Sequence, residues 1–468
     1  MSRIASIYIC QSCGAQTRQF FGRCSNCGDW NSIIEQVGSS LDRKRKRRGS
    51  NFSKEASPQL SEPIVSLKEK VLDRLSSGYS EFDRVLGGGL VPGSLVLVGG
   101  DPGIGKSTLL LQSATIMALQ EQVLYVSAEE SAQQVRLRWE RLKGPTSNLQ
   151  LLAETNLELV LQELESLKPA VAIIDSIQAL NDENLSGSPG SVGQVRECSS
   201  ALQRLAKQQN TSLLLVGHVT KEGMLAGPKV LEHLVDVVLT FEGDRYASHR
   251  LLRAVKNRYG ATHELGIFEM QGNGLIEVTN PSEIFLNRKS ATGVATIVAC
   301  EGNRPLAVDL QALISTTTCS SPRRTATGVE ANRLHQILAV LEKHMGLALS
   351  RHDCYLAVAG GLEVEEPAAD LGIAAAVISS YRNLILPEGT VLIGELGLGG
   401  QLRPVGQIQQ RLQEAERLGF QRAIFPKGSG LDRIKTDLKL ELFEATNISD
   451  AIEMALGVNP ESNQKLKC

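Results

Sequence analysis

The sequence predicts an α/β chain built around a mainly parallel sheet, with a small four-cysteine metal module ahead of it and a further α/β region behind. Three observations carry that prediction. Short apolar runs alternate with helical stretches between residues 63 and 285, and one of the runs opens into G-x-x-x-x-G-K-S. Four of the nine cysteines also crowd into the stretch from Cys10 to Cys27. At 468 residues the chain exceeds one ordinary domain.

The cysteines come first, in residues 1–37. Cys10 and Cys13 form one CxxC, Cys24 and Cys27 a second, with ten residues between them. Each pair is a tight knuckle presenting two thiolates, and two knuckles make a tetrahedral S₄ site suited to Zn²⁺. Gly14 and Gly28 follow the pairs, where a knuckle requires positive φ. So small a module has almost no apolar core, so the metal supplies its folding energy. No ligand position is left open, which makes the site structural. A redox dithiol pair is the competing reading.

Residues 38–62 are polar and carry an unbroken basic run, Arg43-Lys44-Arg45-Lys46-Arg47-Arg48. Such a segment cannot bury enough apolar surface to fold alone, so it reads as a flexible linker, either a plain solvated tether or one that also touches phosphate backbone. The whole chain is nearly neutral, with a formal net charge of −2, so any nucleic-acid contact is confined to one loop or one face. No run of eighteen apolar residues and no signal-peptide pattern occurs. A membrane span and export are therefore not expected. One cysteine cluster and scattered remaining cysteines suit a reducing, cytoplasmic setting.

In the middle region, 63–285, the apolar runs 94–98, 123–127, 171–174, 213–216 and 235–241 suit central strands of a parallel sheet covered on both faces. The first leads into Gly100, Asp101, Pro102, Gly103, Ile104, Gly105, Lys106, Ser107 and Thr108, followed by a helical stretch at 109–119. Glycines let the backbone wrap so that successive amides face phosphate oxygens, and the new helix adds its positive end. ATP is the expected ligand. Lys106 would reach its β- and γ-phosphates, and Ser107 would hold Mg²⁺. Asp175, closing the run 171–174, is the second candidate magnesium residue. Glu129 is placed to orient an attacking water, or is simply a charge at a helix start. His218 is either a γ-phosphate sensor or a satisfied polar side chain.

Lys256 and Arg258 end a strand-like run with alternate spacing, so both cations can project to one surface, and no acidic residue lies beside them in sequence. Residues 220–229, with Lys221, Gly223, Gly227 and Lys229, read as a glycine-rich loop able to contact a single strand's phosphates, or as plain surface loop.

Together the residues Gly100 to Thr108, the segment Tyr125-Val126-Ser127-Ala128-Glu129-Glu130-Ser131, Asp175 and the pentapeptide Lys256-Asn257-Arg258-Tyr259-Gly260 resemble the bacterial RadA (Sms) DNA-repair family. The family's signature has the form KNRFG; here tyrosine takes the fourth place. The resemblance covers essentially the whole chain. It implies a RecA-like P-loop ATPase, working as a homo-oligomeric, hexameric ring on single-stranded and branched DNA beside a RecA-type recombinase. It also implies that Lys256 and Arg258 act in trans on a neighbouring subunit's γ-phosphate.

The third region, 290–468, shows strand-like runs at 293–300 and 306–313, helices near 332–345 and 368–379, a strand at 390–396 and a helix at 408–418. The stretches Glu366-Pro367-Ala368-Ala369-Asp370-Leu371-Gly372 and Gly394-Glu395-Leu396 through Leu402-Arg403-Pro404-Val405-Gly406 are similar to the Lon protease domain. That enzyme uses a serine activated by a lysine. Here the two places hold Ala368 and Gln409, so the resemblance implies a structural or DNA-guiding domain without peptidase activity. Three functions compete at this point: a DNA-dependent ATPase motor, an ATP-dependent protease or protein-remodelling factor, and a low-turnover, ATP-switched scaffold for loading a recombinase.

Overall fold

The computed structural model describes residues 73–145, 148–217, 230–243, 248–286, 291–318, 321–430 and 438–456, together with 7–10, 16–17, 19, 21–25, 28, 30 and 33–36. Cys13, Gly14, Cys27, the basic linker 38–62, His218 and the loop 220–229 lie outside the described residues. The chain divides into two compact units, Met1–Glu277 and Val278–Cys468.

At the N-terminus, β1 (Ile7–Cys10) pairs antiparallel with β2 (Gln16–Thr17) on one side and β3 (Ile33–Gln36) on the other. Cys10 ends β1 and is buried, as is Cys24. After Cys24 the chain turns so that Gly28 N donates to Cys24 O at 2.9 Å, with φ of 77° at Gly28. That is the left-handed conformation the knuckle requires there.

The rest of the first unit runs through α1 (Ser80–Leu86), β4 (Leu95–Gly100), α2 (Lys106–Met117), β5 (Val123–Ser127), α3 (Ala132–Leu142), β6 (Gln150–Ala153), α4 (Leu157–Leu167) and β7 (Val171–Asp175). It continues with α5 (Val192–Gln209), β8 (Ser212–Val216), α6 (Val230–Leu234), β9 (Val237–Glu242), β10 (His249–Asn257), β11 (Leu265–Gln271) and β12 (Gly274–Glu277). Among the described residues these strands form one sheet, in the order β12-β11-β10-β9-β4-β8-β7-β5-β6. From β9 to β6 every pairing is parallel, while β10, β11 and β12 extend the sheet antiparallel.

The central strands are buried on both faces, and their alternation sorts the core into two layers. Val96, Val98, Tyr125, Ile173 and Leu214 pack on the α2 side. Leu95, Leu97, Leu124, Val126, Ala172, Ile174, Leu213 and Leu215 pack on the opposite face with residues of α4 and α5. The run expected at 235–241 starts two residues late as a strand, because Asp236 is occupied otherwise. Its carboxylate accepts the Leu95 amide at 3.1 Å, and its own amide donates to Leu95 O at 2.9 Å.

The division after Glu277 falls ahead of the limit expected at 285. The short helix α7 (Ser282–Phe285) is built into the second unit: Ser282 Oγ donates to Glu414 Oε1 at 2.9 Å and accepts the Ala307 amide at 3.2 Å. Beyond it come β13 (Val294–Glu301), β14 (Arg304–Thr316), β15 (Arg324–Thr327), α8 (Ala331–Met345), β16 (His352–Val358), α9 (Asp370–Arg382), β17 (Thr390–Leu392), β18 (Glu395–Leu396), β19 (Leu402–Arg403), α10 (Ile408–Arg417), β20 (Arg422–Pro426), β21 (Glu441–Ala445) and α11 (Ile448–Leu456). Its larger sheet has the mixed order β15-β16-β14-β13-β17-β20-β21. The single strand expected at 390–396 is two: β17 belongs to that sheet, whereas β18 pairs with β19 in a separate hairpin. The chain parts at Gly394, whose amide donates to Ala368 O at 2.9 Å; a Cβ there would lie 3.0 Å from the Pro426 ring. Among the described residues no helix is long and apolar enough to cross a membrane.

Candidate functional site

The C-terminal ends of β4, β5 and β7 share one end of the parallel sheet, and the candidate nucleotide residues collect there. β4 runs without interruption into Gly100, where φ is 150° and an added Cβ would sit 2.5 Å from Phe241 O. Only glycine fits so close to a neighbouring backbone. The turn then reaches Gly105, with φ of 118°, which stands at the N-cap of α2. The first amides of a helix have no partner within the helix, and with the helix dipole they favour an anion at this point.

Lys106, the first residue of α2, is buried, and its Nζ donates to Gly100 O at 2.7 Å and Asp101 O at 2.9 Å. Burial pulls its ammonium below the usual lysine range, and the carboxylates of Asp175, Asp101 and Glu129 oppose that shift. Those three carboxylates are thus the charges that Lys106 feels. Ser107 follows in the first turn of α2. A serine hydroxyl and a carboxylate at a strand end are hard oxygen donors, the kind Mg²⁺ accepts while keeping several of its waters. The residues present therefore fit a magnesium–nucleotide site.

Asp175 is buried at the end of β7 and accepts the Tyr125 phenol at Oδ2, 2.6 Å. Burial and the Asp175 charge push that phenol well above its usual range, so it stays a donor. Glu129, just past β5, accepts a short hydrogen bond from Ser176 Oγ. Glu130 pairs with Arg138 of α3 instead. None of these hydroxyl partners was singled out in the sequence. One signal for Tyr125 was present: a tyrosine inside a wholly buried strand needs a partner for its hydroxyl.

Lys256 and Arg258 occupy the opposite end of the sheet. β10 runs antiparallel to β9, with Lys256 across from Val238 and Asn257 across from Val237. Val237 in turn pairs with Val96, near the beginning of β4. Lys256 Nζ donates to Val235 O at 2.8 Å and also to Glu232 O. Arg258, half exposed, has the acidic partner that sequence proximity did not reveal: its Nη1 lies 3.0 Å from Asp236 Oδ1. Tyr259, where the family signature carries phenylalanine, hydrogen-bonds the same carboxylate; burial first and Asp236 second raise its phenol above the usual value. One buried aspartate therefore anchors the pentapeptide to the first residue of β4.

In the second unit, Ala368 is buried and Gln409 is partly buried on α10. Polar groups flanking them in sequence form an ion pair: Arg411 reaches Glu366 with two nitrogens, Nη1 at 2.6 Å and Nη2 at 2.5 Å. Glu366 also accepts the Cys300 amide at 2.7 Å, and Arg411 donates to Val298 O at 2.6 Å. The arrangement binds β13, the turn before α9 and α10 together.

At the N-terminus, Cys10 and Cys24 are buried with Ile33 in a core too small to hold a fold by itself. A metal bound by thiolates would supply what that core lacks. Thiol titration of the intact protein is expected to release one zinc per four cysteines in this segment. A ratio far from that refutes the site.

Known proteins bear on these observations at several levels. Family models match residues 8–35 as a rubredoxin metal binding domain, 62–224 as an AAA domain and 319–429 as subunit ChlI of Mg-chelatase. A solved KaiC-like protein from Pyrococcus horikoshii is 20% identical, with a TM-score of 0.37, covering 44% of this chain and 99% of that one. A DNA repair protein RadA from Synechocystis is 50% identical over 99% of this chain and 97% of its own length. Its counterpart from Bacillus subtilis is 45% identical over 98% of this chain and 100% of its own. With a zinc-ribbon match at the N-terminus, a P-loop α/β sheet behind it and near-complete coverage at such identity, the chain belongs to the RadA family of DNA repair proteins.

Proposed function

We propose that this protein is a DNA-dependent ATPase of recombinational repair, a ring of identical subunits that moves along single-stranded DNA and promotes branch migration with a RecA-type recombinase. The observation carrying this reading is the convergence of Lys106, Asp175 and Glu129 at one end of the parallel sheet, with Lys256 and Arg258 at the other. In the proposed mechanism the amides from Gly100 to Thr108 bind the phosphates, and Lys106 neutralises the β- and γ-oxygens. Ser107 and Asp175 would hold Mg²⁺, which when bound offsets charge on the transferred phosphoryl group. Glu129 orients the attacking water.

β4 has six residues and so spans about 20 Å. Lys256 and Arg258 are therefore too distant to serve the phosphates of their own subunit, which supports their acting on a neighbour's. The relatives' name, DNA repair protein, supports DNA as the polyanion. The test is ATP turnover with and without single-stranded DNA across a salt series. Stimulation by DNA is expected, weakening steeply between about 50 and 200 mM salt as phosphate contacts are lost. Turnover indifferent to DNA at every salt concentration would favour a low-turnover scaffold.

A protease reading is disfavoured by Ala368 and Gln409, which can neither attack a peptide bond nor activate a nucleophile. Peptide hydrolysis is expected to stay at background with and without ATP. Cleavage that Ala368 or Gln409 variants alter would reverse this.

A further inference from the structure

The two carboxylates of the nucleotide site are each gripped by a hydroxyl from the other's strand. Tyr125 lies on β5 and donates to Asp175 at the end of β7, at 2.6 Å. Ser176 follows β7 and donates to Glu129, which follows β5. Between these contacts the Ala128 amide donates to Asp175 O at 2.7 Å, continuing the β5–β7 pairing that ends with Ser127 opposite Asp175. Tyr125 and Asp175 are both buried, so their bond forms out of water, where it is strong and directional. Ser176 is buried too, while Glu129 is exposed, so that bond holds the glutamate from its inner side and leaves it open to water.

We propose that this reciprocal pair of hydroxyls is the positioning device of the site, with Tyr125 setting the rotation of the metal-binding aspartate and Ser176 setting the water-orienting glutamate. With Oδ2 of Asp175 taken by the phenol, Oδ1 is the oxygen left to take part in holding magnesium. A free carboxylate at a strand end rotates about χ2, a broad torsion with no strong preference of its own. A rigid phenol bound to one oxygen removes that freedom. Neither Tyr125 nor Ser176 touches the reacting atoms. The two act through Asp175 and Glu129, and the assignment rests on the magnesium–nucleotide reading above.

The experiment separates the two halves. Affinity for a fluorescent ADP analogue is measured over a magnesium series, alongside ATP turnover, for the parent, Tyr125→Phe and Ser176→Ala. Tyr125→Phe keeps the ring and its packing. Its magnesium midpoint is expected to rise about 10-fold, in line with the 10- to 100-fold losses typical of groups that orient metal ligands. Its metal-free nucleotide affinity should equal the parent's, and saturating Mg²⁺ should restore most of its turnover. Ser176→Ala should keep the parent's midpoint and lose about 10-fold in turnover. An unchanged midpoint in Tyr125→Phe, or a loss of its metal-free nucleotide affinity, overturns the role of Tyr125. Parental turnover in Ser176→Ala overturns that of Ser176. A parent whose nucleotide affinity ignores Mg²⁺ would overturn the nucleotide reading itself, and this assignment with it.

Discussion

Lys106→Ala lowers ATP turnover by about 10³-fold, the scale on which removing one preorganised charge from a phosphoryl-transfer site is felt. Phosphate release with saturating single-stranded DNA is the measurement, and turnover equal to the parent's would end the nucleotide reading. The loss is not one of folding. Burial lowers the folded pKa of Lys106 below its unfolded value. Between those two values the unfolded chain holds the extra proton, so stability rises as pH climbs through that window. Below it, the protonated side chain counts against the folded state. Removing it therefore leaves the melting temperature near the parent's, while turnover collapses.

Arg258→Ala produces the second large effect: DNA-stimulated turnover falls by about 10³-fold while nucleotide affinity is kept, as for the removal of an arginine finger. Arg258 is half exposed, but Asp236 is buried, so removing the guanidinium also costs some stability. Asp236 keeps the Leu95 amide and the Tyr259 phenol, which limits that cost, and a melting curve beside the turnover assay separates the two effects. The decisive arm mixes Arg258→Ala with Lys106→Ala protein. The first keeps a sound phosphate turn and the second a sound cation, so if the subunits assemble as proposed the mixture recovers turnover that neither variant has alone. No recovery on mixing, with assembly demonstrated, would mean that Arg258 does not act between subunits.

Strands and phosphate turn were legible in the sequence because their causes are local. A run such as 123–127 is apolar throughout, and it forms β5 over the same residues. The glycines at 100 and 105 announce backbone that no other residue adopts. The hydroxyl and aspartate contacts were not legible, since each joins residues that the fold alone brings together. Tyr125 is fifty residues from Asp175 and Arg258 twenty-two from Asp236, so no periodicity connects them. Asp236 did leave a trace, a charge within an apolar run, but it read as part of the strand. The division of 390–396 was hidden for a related reason: a run of apolar residues looks the same whether it stays in one sheet or crosses to another, and only the approach of Gly394 to Pro426 and Ala368 decides.

The clasp at Asp236 has a mechanical corollary. Leu95, which it holds, and Gly100, which opens the phosphate turn, are the two tips of one buried strand laddered on both sides. A strand paired on both sides is stiff along its length, so a push at one tip would be felt at the other. In the proposed ring, that strand would carry a push received from one neighbour to the phosphate turn without any hinge inside the sheet.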